Sequence, residues 1–272
     1  MKTIVIAGGN SGIGLQAARE FLASGHRVIL LGRDHSKGEA AIASFGAARE
    51  RATFLSVDLS THEGVRDAAA RIAGHAERID SLIHSAAVFE TKDVRTADDI
   101  PLFPALSYFS RYHLTQLLLP QLLRAARPRV LMLTATLKTV PPLDPRRFPR
   151  FANFRFRKDL LAVNGASLYY ADHLMKTHPT LFAGCMTPGL VRTGIFRDAP
   201  WTVKLLVMLI GPFMANSVEK AASNLVQASL GGEGPSALFW PEPGNFDESF
   251  VIETDAGVRN ALIEASRKET GA

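Results

Sequence analysis

Residues 3 to 14 read Thr3-Ile4-Val5-Ile6-Ala7-Gly8-Gly9-Asn10-Ser11-Gly12-Ile13-Gly14. The β-branched apolar run Thr3 to Ile6 enters a glycine-rich turn, and Ile13, Ala17, Ala18, Phe21 and Leu22 then recur at helical spacing until Gly25. That order predicts strand, glycine loop and helix. Glycine at positions 8, 12 and 14 lets the turn take positive φ and lets a ligand approach the backbone closely. The N–H groups at the start of the helix are then directed at a pyrophosphate, so a dinucleotide is the expected ligand.

The glycines follow G-x-x-x-G-x-G through Gly8, Gly12 and Gly14. This spacing resembles the short-chain dehydrogenase/reductase family, whose usual form is T-G-x-x-x-G-[IL]-G, with Ala7 here in place of the usual Thr. The resemblance covers about residues 1 to 240 and implies an NAD(P)-binding loop that includes Asn10, Ser11 and Ile13.

Composition is compatible with that reading. At 272 residues and 47% apolar, and with no Pro/Gly/Ser linker or internal repeat, the chain predicts one Rossmann-type domain over 1–272. Alternating strands and helices predict an α/β, doubly wound parallel sheet in three layers, with ligand at the carboxyl ends of the strands. The single cysteine, Cys185, excludes an internal disulfide and lies in an apolar run, where a buried inert thiol is expected. The N-terminus enters the first strand directly, leaving no room for a signal peptide, so a cytoplasmic protein is expected. The longest apolar stretch, Leu205 to Met214, is too short to span a bilayer. The net charge of +5 is spread along the chain, so nucleic acid is not an expected partner. No metal site is expected either.

Cofactor preference is legible at the end of the second predicted strand, Arg27 to Leu31, which runs into Gly32-Arg33-Asp34. An acid at this place binds the 2′-OH of NAD, and an arginine accommodates the 2′-phosphate of NADP. Arg33 comes first and Lys37 is nearby, which predicts NADP(H). A helix over about Ser36 to Glu50 and a strand over Thr53 to Val57 follow, then Asp58-Leu59, where the resemblance puts the contact to the adenine. An N-terminal helix cap is the alternative role for Asp58, with Ser60 its competitor.

After a strand over Ser81 to Ser85, the family's N-N-A-G is replaced by His84-Ser85-Ala86-Ala87. The resemblance leaves Ser85 and Ala86 beside the cofactor ribose. His84 is either a proton relay or a hydrogen-bonded strand-end histidine. The helix from about Phe103 to Ala126 resembles the family's N-x-x-G-x-x-x-x-T helix, with Ser107 at the position of the water-holding Asn and Thr115 at that of the Thr. After the strand Val130 to Leu133 the carbonyl-polarising serine of the family falls on Ala135, flanked by Thr134 and Thr136. A last conserved-looking loop, Pro188-Gly189-Leu190-Val191-Arg192-Thr193 after the strand Leu181 to Met186, resembles the segment P-G-x-[VI]-x-T that covers the nicotinamide. It adds Pro188, Gly189, Val191 and Thr193 to the cofactor set.

Counting back from that Pro-Gly by the family's spacing puts its Tyr-x-x-x-Lys pair on Leu160 and Asn164. Tyr169 lies nine residues farther along the helix, about 13 Å away, and does not stand in for Leu160. All four positions of the proton-handling set are therefore changed, to Ser107, Ala135, Leu160 and Asn164. Asn164 retains the capacity to hydrogen-bond the nicotinamide ribose. The proton then comes from water, from the substrate, or from a relocated donor such as Tyr108, Thr136, Lys138 or Lys158, and loss of a general acid slows catalysis without forbidding it.

Between that strand and helix, Asp144 to Lys158 interleaves arginines with Phe148, Phe151, Phe154 and Phe156. Such a stretch either stacks on and neutralises an anionic planar ligand or packs its rings on the body. Residues 194–216 are the expected substrate lid, and their apolar composition predicts a hydrophobic small-molecule substrate. An amphipathic helix over Ser217 to Ser229 and a last strand over Ala237 to Trp240 complete the reading, with monomer and homodimer both open. The expected activity is reduction of a ketone of a hydrophobic or aromatic metabolite. The alternatives are a non-redox isomerase or cyclase, or a catalytically silent cofactor-binding protein.

Overall fold

A computed structural model describes residues 1–135, 137, 139–189, 191, 216–231, 238–240 and 250–272. Thr136, Lys138, Thr193 and, except for Asn216, the 194–216 segment lie outside the described residues.

Among the described residues eight strands form one sheet: β1 (Thr3–Ala7), β2 (Arg27–Gly32), β3 (Ala52–Ser56), β4 (Ser81–His84), β5 (Arg129–Leu133), β6 (Phe182–Met186), β7 (Leu238–Trp240) and β8 (Phe250–Val251). Their spatial order is β3-β2-β1-β4-β5-β6-β7-β8. Neighbours pair in parallel except for β7 and β8, which are antiparallel. The last strand is therefore β8 rather than β7. The chain reverses direction across the sheet between β1 and β4, the place where ligands bind in open sheets of this kind.

Alternate residues of each buried strand serve opposite faces. Ile4, Ile6, Val28, Leu30, Leu131 and Leu133 pack with α1 (Gly12–Ala23). Val5, Ala7, Ile29, Leu31, Val130 and Met132 pack with α3 (His62–His75) and with two later helices, giving two cores and three layers. The segment read as one helix over 36–50 divides into α2 (His35–Ala43) and a 3-10 turn, Gly46–Arg51, because Gly46 takes φ +55°. The helix read from Phe103 onward is a short α4 (Leu102–Pro104), a π-helical turn (Ala105–Phe109) and α5 (Ser110–Leu122). The remaining helices are α6 (Phe156–Thr177), α7 (Val218–Leu230) and α8 (Ala256–Thr270). Among the described residues no helix is long and apolar enough to cross a membrane.

Sequence reasoning missed α8. It docks on the outer side of α5 and α6 through polar contacts. Tyr108 Oη lies 2.8 Å from Ser266 Oγ, and Tyr112 Oη donates to the Ala272 carbonyl at 3.2 Å. The buried Asp172 carboxylate receives Arg259 at 2.8 Å and Lys176 at 3.0 Å. Each of these partners is more than 80 residues from its mate except for Lys176, so no local pattern announces them.

The basic and aromatic stretch before α6 resolves in favour of packing. Phe148, Phe151, Phe154 and Phe156 are all buried, in ring contact with one another and with Phe103, Tyr108 and Phe109. Phe151 takes φ +45°, a left-handed conformation unfavourable for a bulky residue, and full burial of its ring offsets that cost. Phe151→Ala is expected to lower stability by about 3–5 kcal/mol, the usual cost of an aromatic cavity. Urea denaturation tests this, and a loss below about 1 kcal/mol would show that the ring is not structural.

Candidate functional site

The mouth of the sheet is built by backbones in unusually close contact. Gly8 follows β1 with φ +83° and donates to the Leu31 carbonyl at 2.9 Å. A Cβ on Gly8 would lie 2.6 Å from the Ala86 nitrogen, and one on Gly14 would lie 2.3 Å from the Gly8 carbonyl oxygen. Only glycine fits either place. Ser11, the residue before α1, is extended and makes no side-chain cap. The first-turn N–H groups of Gly12, Ile13 and Gly14, which a helix leaves without internal partners, thus face the mouth uncapped. These features fit a dinucleotide pyrophosphate on an observation independent of the motif.

On the β2 and β3 side, Asn10 lies against Gly32 and donates to the Asp34 carbonyl at 3.4 Å. Asp34 is the N-cap of α2. Its carboxylate accepts the Lys37 N–H at 3.0 Å and pairs with Lys37 Nζ at 3.1 Å, and those bonds hold it below the usual carboxylate range. The acid beside Arg33 is thus engaged locally, whereas Arg33 is exposed and its guanidinium has no carboxylate partner among the described residues. Asp58 is also exposed, and one of its oxygens accepts the Ser60 N–H at 2.9 Å. Neither residue caps α3. Thr61 does, accepting from the Gly64 N–H at 3.1 Å. Leu59 buries its side chain in the core, leaving only its backbone for a ligand.

Beyond β4, the Ser85 N–H donates to the Ala7 carbonyl at 2.9 Å, which sets Ser85 and Ala86 beside the glycine turn. His84 is buried with Nε2 2.9 Å from Thr115 Oγ1, and burial together with the Arg111 charge pushes its pKa down to about 3. It is a neutral, satisfied strand-end histidine and not a proton relay.

Asn164 joins two elements. Its Oδ1 accepts the Ala135 N–H at 2.9 Å, and its Nδ2 donates to the Leu160 carbonyl at 2.8 Å. The structure thus brings Ala135, Leu160 and Asn164 together where α6 meets the loop after β5. Ser107 sits within the π-helical turn, a distortion common at functional sites, and its carbonyl accepts from Ser167 Oγ at 3.4 Å. Tyr108 is a correction. Fully buried and bonded to Ser266, with its phenol pKa raised by desolvation, it presents nothing to a ligand. Tyr169 and Tyr170 are likewise buried, bonded to the Pro141 carbonyl and to Gln116. Cys185 is buried, and desolvation pushes its thiol up to about 12.

Two further residues stand out, Thr134, which the sequence offers only as a hydroxyl flanking Ala135, and Arg111, which it does not single out. Thr134 follows β5, and its buried hydroxyl has no partner among the described residues. Arg111 is 2% exposed, donates to Ser167 Oγ at 3.2 Å, and keeps its Nε without a partner among the described residues. Burial pushes its pKa down to about 10, which still leaves it charged at neutral pH. The available signal was its isolation as the one Lys, Arg, Asp or Glu in residues 101–123.

At the β6 end, Gly189 takes φ +64° and Asn216 Nδ2 donates to the Pro188 carbonyl at 3.2 Å. A bridge between Val191 and Asn216 continues the loop. Among the described residues no three His, Cys, Asp or Glu side chains gather as a metal site.

The family model described as short chain dehydrogenase matches residues 2–142. Dehydrogenase/reductase SDR family member 13 of Bos taurus is 32% identical over 288 residues, covering 99% of this chain and 73% of that protein. Retinol dehydrogenase 12 of Bos taurus is 30% identical over 243 residues, covering 86% and 75%. A crystal structure of an uncharacterised protein from Mycobacterium Paratuberculosis has a TM-score of 0.75 at 21% identity, covering 100% of this chain and 94% of that one. The Pseudomonas aeruginosa RhlG/NADP active-site complex has a TM-score of 0.68 at 19% identity, covering 90% and 96%. At those identities the two solved structures bear on the fold alone.

The state of His84 sets a pH dependence. The unfolded imidazole takes up a proton near 6.5, whereas the folded one stays neutral down to about 3. Its contribution is therefore complete above pH 6.5 and is lost as pH falls toward 3, amounting to about 2 kcal/mol by pH 5. Urea denaturation at pH 7 and pH 5 is expected to show a smaller drop in His84→Leu/Thr115→Val than in the natural chain. Equal drops would contradict the neutral, buried assignment.

Proposed function

Because this chain belongs to the short-chain dehydrogenase/reductase family, we propose that it is an NADP(H)-dependent oxidoreductase that reduces a ketone of a hydrophobic or aromatic metabolite. The observation that carries the cofactor choice is the pair Arg33 and Asp34. Asp34 spends its carboxylate on capping α2 and on Lys37, which leaves Arg33 as the charge available to a 2′-phosphate. Lys37 is a surface partner of Asp34, an exchangeable pair worth little, and is free to shift toward a phosphate.

The cofactor supplies the hydride. Gly8, Gly12 and Gly14 with Asn10, Ser11 and Ile13 form the pyrophosphate cradle. Asp58 and Leu59 border the adenine, while Ser85, Ala86, Pro188, Gly189 and Val191 border the ribose and nicotinamide, with Thr193 continuing that loop. Asn164 retains one N–H and one lone pair beyond its two internal bonds, enough to hold a ribose hydroxyl. Thr134, whose hydroxyl has no partner among the described residues, is adjacent to Ala135 and is assigned to polarise a carbonyl there once its side chain turns toward the substrate. A hydroxyl polarises without giving up its proton, so the proton is drawn from water. Ser107 and Thr136 are the remaining hydroxyls assigned to hold that water. Lacking a positioned acid, the reaction forgoes a factor of about 10²–10⁴ and suits an already polarised ketone.

Leu160 favours a second reading, cofactor binding without turnover, since it brings no ionisable group to the meeting point of Ala135 and Asn164. Fluorescence titration separates the cofactors: NADPH is expected to bind at least about tenfold more tightly than NADH, with Arg33→Ser abolishing the difference. Equal affinities for the natural chain would reject the NADP assignment. NADPH oxidation over a panel of activated ketones then decides between the readings, and tight binding with no turnover would establish the silent one.

A further inference from the structure

The inward packing of the four phenylalanines has an outward counterpart. Arg147, Ala152, Asn153, Arg155 and Lys158 line an open recess of about 510 Å³. Phe151 and Asn153 both take left-handed backbone angles, φ +45° and +56°, and this double reversal buries the rings while presenting the intervening Ala152 and Asn153 at the recess.

Its charge is one-sided. Three cations line it and no carboxylate does. The nearby acid, Asp159, is 2% exposed and committed elsewhere: it receives Arg147 at 2.9 Å and the Arg155 backbone N–H at 2.8 Å. That pairing accounts for Arg147 and leaves Arg155 and Lys158 exposed, with no side-chain hydrogen bond or ion pair among the described residues. Two unneutralised cations on one recess that no carboxylate lines are a demand for anionic oxygen atoms that the described residues do not fill.

The place matters as well. Arg155 and Lys158 lie at the entry to α6, the helix that carries Leu160 and Asn164, with Lys158 two residues before Leu160. The recess includes none of the residues assigned to the dinucleotide.

We propose that this recess is an anion-binding site that holds a carboxylate or phosphate group of the substrate, with Arg155 and Lys158 supplying the charge. The substrate is then apolar at its reacting end and anionic at the other. Assignment of the anion to a substrate rests on the proposed oxidoreductase function, whereas the binding of the anion does not.

Isothermal titration with pyrophosphate and, separately, citrate tests the site, using protein saturated with NADPH so that the cofactor pocket is filled. The natural chain is compared with Arg155→Gln/Lys158→Gln, whose changes are at exposed positions. Either probe binding the natural chain and weakening about tenfold or more in the double variant supports the site, and which probe does so identifies phosphate or carboxylate. Equal affinity in both proteins, or no binding up to about 10 mM, overturns it. Should NADPH itself fail to bind, the function reading falls, and the same comparison made with Arg33→Ser in both proteins still decides the recess.

Discussion

The architecture of the mouth depends on one steric constraint, the approach of the Gly8 backbone to the Ala86 backbone across the β1 and β4 ends. A single added methyl at Gly8 or Gly14 would overlap main-chain atoms, which unlike side chains have little freedom to move aside. Because those strands are neighbours where the sheet reverses, this approach fixes the start of α1 relative to the loop after β4. The uncapped first turn of α1 is held over that seam. What a dinucleotide meets here is thus mostly backbone, and its geometry is set before any side chain contributes.

A second, polar framework supports the opposite layer. The π-helical turn and α5 carry Ser107, Tyr108, Arg111 and Tyr112 inward, and α6 answers with Ser167 and Tyr170. The outer face of this pair is closed by α8 through Ser266, Arg259 and the Ala272 carbonyl. Buried hydroxyls with fixed partners make the packing directional, so α6 presents Asn164 to Ala135 in one orientation. The position of Asn164 therefore depends on contacts made by residues far along the chain.

Much of the fold was legible because it rests on local periodicity. Strand alternation, the glycine turn and the Pro188-Gly189 loop are all readable within a dozen residues of themselves. Roles that depend on a distant partner were not. Tyr108 reads as a candidate acid until Ser266, 158 residues later, takes its hydroxyl. The aromatic and basic stretch has one alternation whichever way it faces, and only the backbone reversal at Phe151 decides that the rings go in. Asp34 and Arg33 illustrate an intermediate case: both were visible, but their division of labour depends on α2 beginning at His35 and making Asp34 its cap. Thr61 took the α3 cap from Asp58 and Ser60 for the same reason, since the helix begins at His62.

Arg111 carries a consequence of a different kind. It is a full positive charge enclosed near the carboxyl ends of β4 and β6, close enough to His84 and Cys185 to influence both, and paired with no acid among the described residues. Enclosure shields it from mobile ions, so its field is screened far less than that of a surface arginine. Its field therefore acts on the ends of β4 and β6 that His84 and Cys185 occupy. An oxygen gathering negative charge there would be stabilised by a potential already in place, with no reorientation of solvent required at the moment of reaction. For the proposed reduction, this enclosed cation would act through the range of its field rather than through a contact.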